Sequence, residues 1–250
     1  MKKLRLVSEA EAIGEFLRNE YYEPDYHRDR ERFEEIVLHP DYTDPEENAL
    51  RRALLYRRRG HMWRELPLDT EWWHVELEQD DLPLIRVFPR AHWRRISNGS
   101  FNIADVVDRI RQHGPRSAGD RVIAKIQQMR YRLKSEEFAT STVLLIGIHE
   151  SMPVTILEGN HRFSAAMLVS PDVARTRFRV LCGISPRMNE SCWYQTNLAN
   201  LWRYAKHRVA NIYDREADVK RLLTTPHSAG GLKQRVTNAV AAEKLTETQS

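Results

Sequence analysis

The sequence predicts an α+β protein in which strands and helices alternate through the middle of the chain and helical segments flank it on both sides. Three observations carry this. Apolar runs of strand length occur in the middle, the longest over 143–148. Apolar residues recur at three- and four-residue spacing in both flanks. No segment repeats with a period of about 20 to 50 residues, which sets aside solenoids and propellers. The resulting division is a charged helical segment over 1–70, a mixed core over 71–187, a helical segment over 188–240 and a polar, frayed tail over 241–250.

In the first segment, Ser8-Glu9-Ala10-Glu11 has the form of a capping box, with Ser8 as N-cap and Glu11 three residues on. Ile13, Phe16, Leu17 and Tyr21 follow at helical spacing. A second helix is expected over 28–38, stopped by Pro40, and a third over 46–59 with Leu50, Leu54 and Leu55 on one face. The other side of that third helix carries Arg51, Arg52, Arg57, Arg58 and Arg59. Such a run is either a solvated helix face or a contact for phosphate or nucleic acid.

The core opens on an expected strand over 82–88. A helix over 101–112 carries Ile103, Val106, Val107 and Ile110 and stops at His113-Gly114-Pro115. A further helix is expected over 121–138. Strands over 142–149 and 153–157 flank the turn Glu150-Ser151-Met152. Gly159 makes a tight corner, a short helix over 160–170 is closed by Pro171, and a strand over 177–184 ends the core. In the last segment Trp193, Leu198, Leu201, Trp202 and Ala205 are expected to share a helix face.

The 250 residues allow one large domain or two small ones. Apolar residues at 41% suffice for a packed core and charged residues at 30% for a soluble surface. No apolar run approaches the ~18 residues of a membrane span, and the opening residues lack the sustained hydrophobic stretch of a secretory signal. Two cysteines, Cys182 and Cys192, cannot frame a disulfide scaffold, so a reducing cytoplasm is expected. Both are expected in the core, since Cys182 lies in a strand pattern and Cys192 adjoins Trp193. The formal charge is +4, from 39 basic and 35 acidic residues, and 31 of the bases are Arg against 8 Lys. The Arg bias suits bidentate anion recognition and equally follows from a GC-rich coding sequence.

One segment carries chemistry: Pro153-Val154-Thr155-Ile156-Leu157-Glu158-Gly159-Asn160-His161-Arg162-Phe163-Ser164-Ala165-Ala166. A strand, a glycine corner and a helix opening on polar residues make an anion cradle. The first helical turn leaves N–H groups pointing outward at the positive end of the dipole. Gly159 allows close approach of the backbone. Arg162 adds a fixed charge, and His161 adds a donor able to gain charge near neutral pH. Glu158, at the strand end, has the chemistry to bind a metal ion, hold a hydroxyl or activate a nucleophile. The same residues also read as an ordinary strand–turn–helix closed by a surface ion pair. A guanidinium at Arg162 folded into a salt link, together with no concave surface before the helix, would remove the anion reading.

The string from Leu157 to Ala166 resembles the acid–Gly–x–His–Arg–x–x–Ala–Ala signature of the ParB/sulfiredoxin-like superfamily. The order of elements over roughly 74–186 is similar to that fold, which implies a small mixed sheet with helices. The resemblance implies that Gly159, Asn160, His161 and Arg162 bind nucleotide phosphates. Sulfiredoxins carry a Cys between the Gly and the His; Asn160 stands there, so sulfinic-acid repair is not expected. Chromosome-partitioning members carry a helix-turn-helix reader after the core, and 193–207 shows no such turn. The superfamily's small-molecule kinases are the nearest in kind. They imply ATP or ADP with Mg²⁺, a small polar acceptor, Glu158 as metal or hydroxyl ligand, and Glu158, His161 and His92 as catalytic candidates. After the first strand, Pro89-Arg90-Ala91-His92-Trp93-Arg94-Arg95 supplies bases and a His where those kinases carry an acid, which points to a substrate other than serine. Arg90 and Arg94 are the candidate substrate contacts. The alternative is a nucleic-acid-associated nucleotide binder or nuclease.

Elsewhere, His149-Glu150 lies at the far end of the hairpin from Glu158. About 16 Å of strand separates the two places, too far to share a metal. Asn197, Asn200, Arg203, Lys206 and His207 form either the polar face of a packed helix or a pocket wall.

Overall fold

A computed structural model describes residues 1–113, 121–134 and 141–213. The chain divides into two units, one of Met1–Ser8 and Leu66–Leu201, the other of Glu9–Glu65 and Trp202–Ser250.

The first unit is built on a six-stranded mixed sheet. Its strands are β1 (Lys2–Val7), β2 (Glu71–Glu76), β3 (Ile85–Arg86), β4 (Ser141–Gly147), β5 (Val154–Glu158) and β6 (Phe178–Ile184). The spatial order is β1-β2-β6-β4-β5-β3. β4 and β6 run parallel, as do β3 and β5; the other neighbours are antiparallel. The centre is β4, whose Val143, Leu144, Leu145 and Ile146 are all fully buried. A strand covered on both faces reads as one apolar run rather than an alternation, which is why 143–148 stood out. Helices α4 (Ala91–Ile96), α5 (Ile103–His113), α6 (Arg121–Lys134), α7 (Asn160–Val169) and α8 (Pro171–Thr176) complete the unit, with α7 packed on both α5 and α6.

The second unit holds α1 (Glu9–Glu20), α2 (Arg30–Leu38), α3 (Pro45–Trp63) and all but the first turn of α9 (Leu198–Tyr213). Asp44 caps α3, accepting hydrogen bonds from the Glu46 and Glu47 amides, with Pro45 in the first turn. Phe16 and Trp63 meet edge to face at 5.9 Å. Arg51 is fully buried and donates to Glu47 (2.8 Å), Asn48 (2.6 Å) and the carbonyls of Ile36 (2.9 Å) and Asp41 (2.7 Å).

Several expectations need correction. The segment 1–70 is not purely helical, because Lys2–Val7 pairs with β2 as an edge strand. β2 was not anticipated. The strand expected over 82–88 shrinks to Ile85–Arg86, because Gln79–Leu84 forms a 3-10 turn. Glu78 and Asp81 cap each other reciprocally there, and Pro83 has no N–H for a ladder. α5 starts at Ile103, since Phe101 sits at φ +58° and the Asn102 side chain accepts from the Ala104 amide (2.8 Å). Pro171 opens α8 rather than closing α7. Trp193 precedes α9, whose start is set by Asn197 accepting from the Asn200 amide (2.9 Å). The stop at Gly114-Pro115 and the tail over 241–250 lie outside the described residues.

Candidate anion site at the β5–α7 corner

The corner begins with Gly159, at φ +100°, in the left-handed region. A Cβ there would stand 3.0 Å from Val143 Cγ2. Both the torsion and the close approach to β4 therefore require glycine. Gly159 is the N-cap of α7 and offers no side-chain hydrogen bond to the first turn.

The parallel pairing of β3 with β5 decides what faces this corner. Ile85 lies opposite Val154 and Arg86 opposite Thr155, so the chain leaving β3 runs in the direction of β5 towards Gly159. Whatever follows β3 must then emerge beside α7. Asn160 fixes that arrangement: its Oδ1 accepts from the Phe88 amide (2.8 Å) and its Nδ2 donates to the Ile156 carbonyl (3.2 Å). The Asn160 side chain is thus a clamp between two segments about 70 residues apart.

His161 follows. Its ring lies 5.2 Å from that of Trp93, which in turn lies 5.2 Å from His92. Burial holds the imidazole pKa down to about 4, and the charges of Lys125, His92, Arg162 and Arg90 push the same way. The expectation that His161 gains charge near neutral pH is therefore corrected: in this setting it is a neutral ring. The half-buried imidazole thus lies against Trp93 of α4, on a helix that packs on α6.

Arg162 and Glu158 form an ion pair across the corner, their side chains 13% and 15% exposed. Arg162 also reaches the Thr142 carbonyl (3.4 Å). The guanidinium is thus in the salt link named above as one of two conditions against an anion hand at this position. The anion reading then rests on the other cations of the corner. Arg90 is exposed at the N-cap of α4, stacked over Phe88 at 5.1 Å, and Phe88 stacks on Trp193 at 4.6 Å. Lys125, on the exposed side of α6, was missed in the sequence; nothing in a helical lysine signals a site. Trp93 read as an aromatic among bases, whereas it is buried between two histidines. Arg94 lies one turn beyond Arg90 and is exposed.

These residues do not make a resident Mg²⁺ site. Glu158 gives its carboxylate to Arg162, and the other groups named here are cations and imidazoles. Among the described residues no three His, Cys, Asp or Glu side chains gather as metal ligands.

Several of the remaining candidates have partners within the fold. Glu150 pairs with Lys3 (3.1 Å) and His149 (3.5 Å) on the turn beyond Gly147 and Val154, at the other end of β5 from Glu158. Cys182 and Cys192 are buried free thiols, and burial pushes Cys182 up to about 12. Asn200 is buried and donates to the carbonyls of Asn189 and Gln195, and His207 pairs with Glu65 at 2.6 Å. Among the described residues no helix is long and apolar enough to cross a membrane. Compared with known proteins, the chain matches no family model, no curated protein and no solved structure.

Proposed function

We propose that the protein binds a nucleotide by its phosphates at the Gly159 corner and transfers a phosphoryl group to a small polar acceptor. The observation that carries this is the placing of Arg90 at the N-cap of α4, whose Trp93 ring lies 5.2 Å from His161, and of Lys125 on α6, which packs on α7, a helix whose N-cap supplies no side chain of its own. Outward N–H groups, a helix dipole and fixed cations favour a multiply charged anion.

In this reading Arg90 and Lys125, both exposed, hold the phosphates, and the backbone from Gly159 to His161 lies against them. The nucleotide supplies the phosphoryl group. Phosphoryl transfer depends mostly on positioning and neutralisation of charge, which suits a corner rich in cations. His161, neutral at pH 7, can accept the proton that the acceptor hydroxyl loses, while the nucleotide leaves one phosphate shorter. Glu158, when released by Arg162, offers an acceptor for a substrate hydroxyl. His92 is the second imidazole within reach of the same place. Mg²⁺ enters only as part of the nucleotide.

The test is calorimetry with ATP, ADP and CTP on the intact protein and on Arg90→Ala and Lys125→Ala. These side chains are exposed, so the variants should stay folded. Each should weaken binding roughly tenfold or more, as expected for loss of a charge-assisted contact. Undiminished binding, or no binding by the intact protein, rejects the site. Phosphorus NMR with ATP and a metabolite mixture then separates transfer from silent binding.

A further inference from the structure

Helix α9 is polarised in the reverse of the usual sense. Its inward side is polar: within the helical unit, buried Asn211 sits so close to Gly60 that a Cβ there would stand 2.0 Å from its Oδ1. His207 pairs with Glu65, and Tyr204 meets His61 at 5.9 Å. Its outward side is apolar. Trp202, Val209 and Ile212 are 66%, 54% and 67% exposed, and Ala205 between them is exposed as well. Their spacing is three, four and three residues, the period of a narrow helix–helix seam rather than of a broad lipid-facing surface.

Charge states what such a seam accepts. At 100° per residue the four apolar positions fall within a narrow stripe, with Lys206 on one flank and Arg208 on the other, both exposed. Lys206 leans over the Trp202 ring at 5.6 Å. The sequence of α9 contains no Asp or Glu. A second copy laid on this stripe, in either direction, sets basic flanks against basic flanks. We infer that the outward face of α9 docks an amphipathic helix of another protein, with apolar residues at heptad spacing and acidic residues on both flanks.

The test uses two fluorescently labelled synthetic helices with Leu at the seam positions, one flanked by Glu and the other by Lys, titrated with the full-length protein by anisotropy. The Glu-flanked peptide should bind and the Lys-flanked one should not. The exposed pair Val209→Ser and Ile212→Ser should weaken binding roughly tenfold, and Lys206→Glu with Arg208→Glu should exchange the preference between peptides. Circular dichroism checks that both variants stay folded. Failure of the Glu-flanked peptide to bind, or equal binding of both peptides, overturns the proposal. So does binding to phosphatidylcholine–phosphatidylglycerol vesicles as tight as to the peptide, or a dimer by light scattering that the serine pair dissolves.

Discussion

At the corner, the His161 ring and the Arg162–Glu158 ion pair set the local charge. His161 is neutral because desolvation, with Lys125, Arg162 and Arg90 nearby, disfavours its charged form. Its folded pKa of about 4 lies below the unfolded value near 6.5. Between those values the unfolded chain binds a proton that the folded chain refuses. Stability conferred by the neutral ring is therefore complete above about pH 6.5 and is lost as the pH falls towards 4. The loss attributable to this ring is on the order of 3 kcal/mol. Urea unfolding at pH 7 and pH 4.5 should show a shallower acid loss in His161→Gln than in the parent; equal slopes would refute the assignment. An arriving phosphate has the opposite effect on the ring, since its charge favours the imidazolium. Arg162 and Glu158 behave as one unit. Arg162→Gln leaves a largely buried carboxylate without its cation, at a cost of about 1–3 kcal/mol, while adding Glu158→Gln should recover part of that cost. A double-mutant cycle by thermal denaturation reads the difference. The composition of this corner was legible from Glu158 to Arg162. Which of its charges cancel was not, because that depends on rotamers across a bend.

At the scale of elements, the clamp made by Asn160 matters more than its place in a motif. Its two hydrogen bonds hold the segment after β3 against α7, and the Phe88 residue it meets is buried. Asn160→Ala leaves a buried amide unsatisfied and should destabilise by about 1–3 kcal/mol, with phosphate affinity falling alongside. Asn160→Asp keeps the acceptor for Phe88 and should lose less of the fold. Gly159→Ala should cost roughly 1–3 kcal/mol, from its left-handed torsion together with the approach of Val143. Elements with a clean local signal, such as α1, α3, α7 and the β4–β5 hairpin, were readable because period, caps and turn residues agreed. β1 and β2 were not. β1 is charged at three of its six positions and becomes a strand only by pairing along the edge of β2. β3 was overread because Leu82, Leu84 and Ile85 look strand-like, while the reciprocal capping of Glu78 and Asp81 winds the first part into a turn.

For the molecule as a whole, the balance of charge bears on the choice between the two proposed functional classes. The Arg run of α3 is not a bare basic face: Arg51 is buried against Glu47, Arg52 pairs with Glu9 at 2.6 Å and Arg59 with Glu20 at 2.7 Å. Those arginines work inside the helical unit. Arg51→Met strands Glu47 in the interior and should destabilise that unit by about 3–5 kcal/mol, read as a lower urea midpoint. Affinity for duplex DNA should be weak and fall steeply with salt, whereas nucleotide binding at the corner should persist at physiological ionic strength. A gel shift at two salt concentrations beside the calorimetry tests this; salt-resistant DNA binding would reverse the ranking.

The chain by itself determined an α+β architecture, the strand–glycine–helix corner and the residues that line its opening turn, because each depends on neighbours a few positions away. Only the tertiary structure set Trp93 of α4 against His161 and α6 against α7, paired Arg162 with Glu158 and turned the apolar side of α9 outward. Those outcomes follow from which strands lie side by side and which helix faces meet, and no local period records that choice.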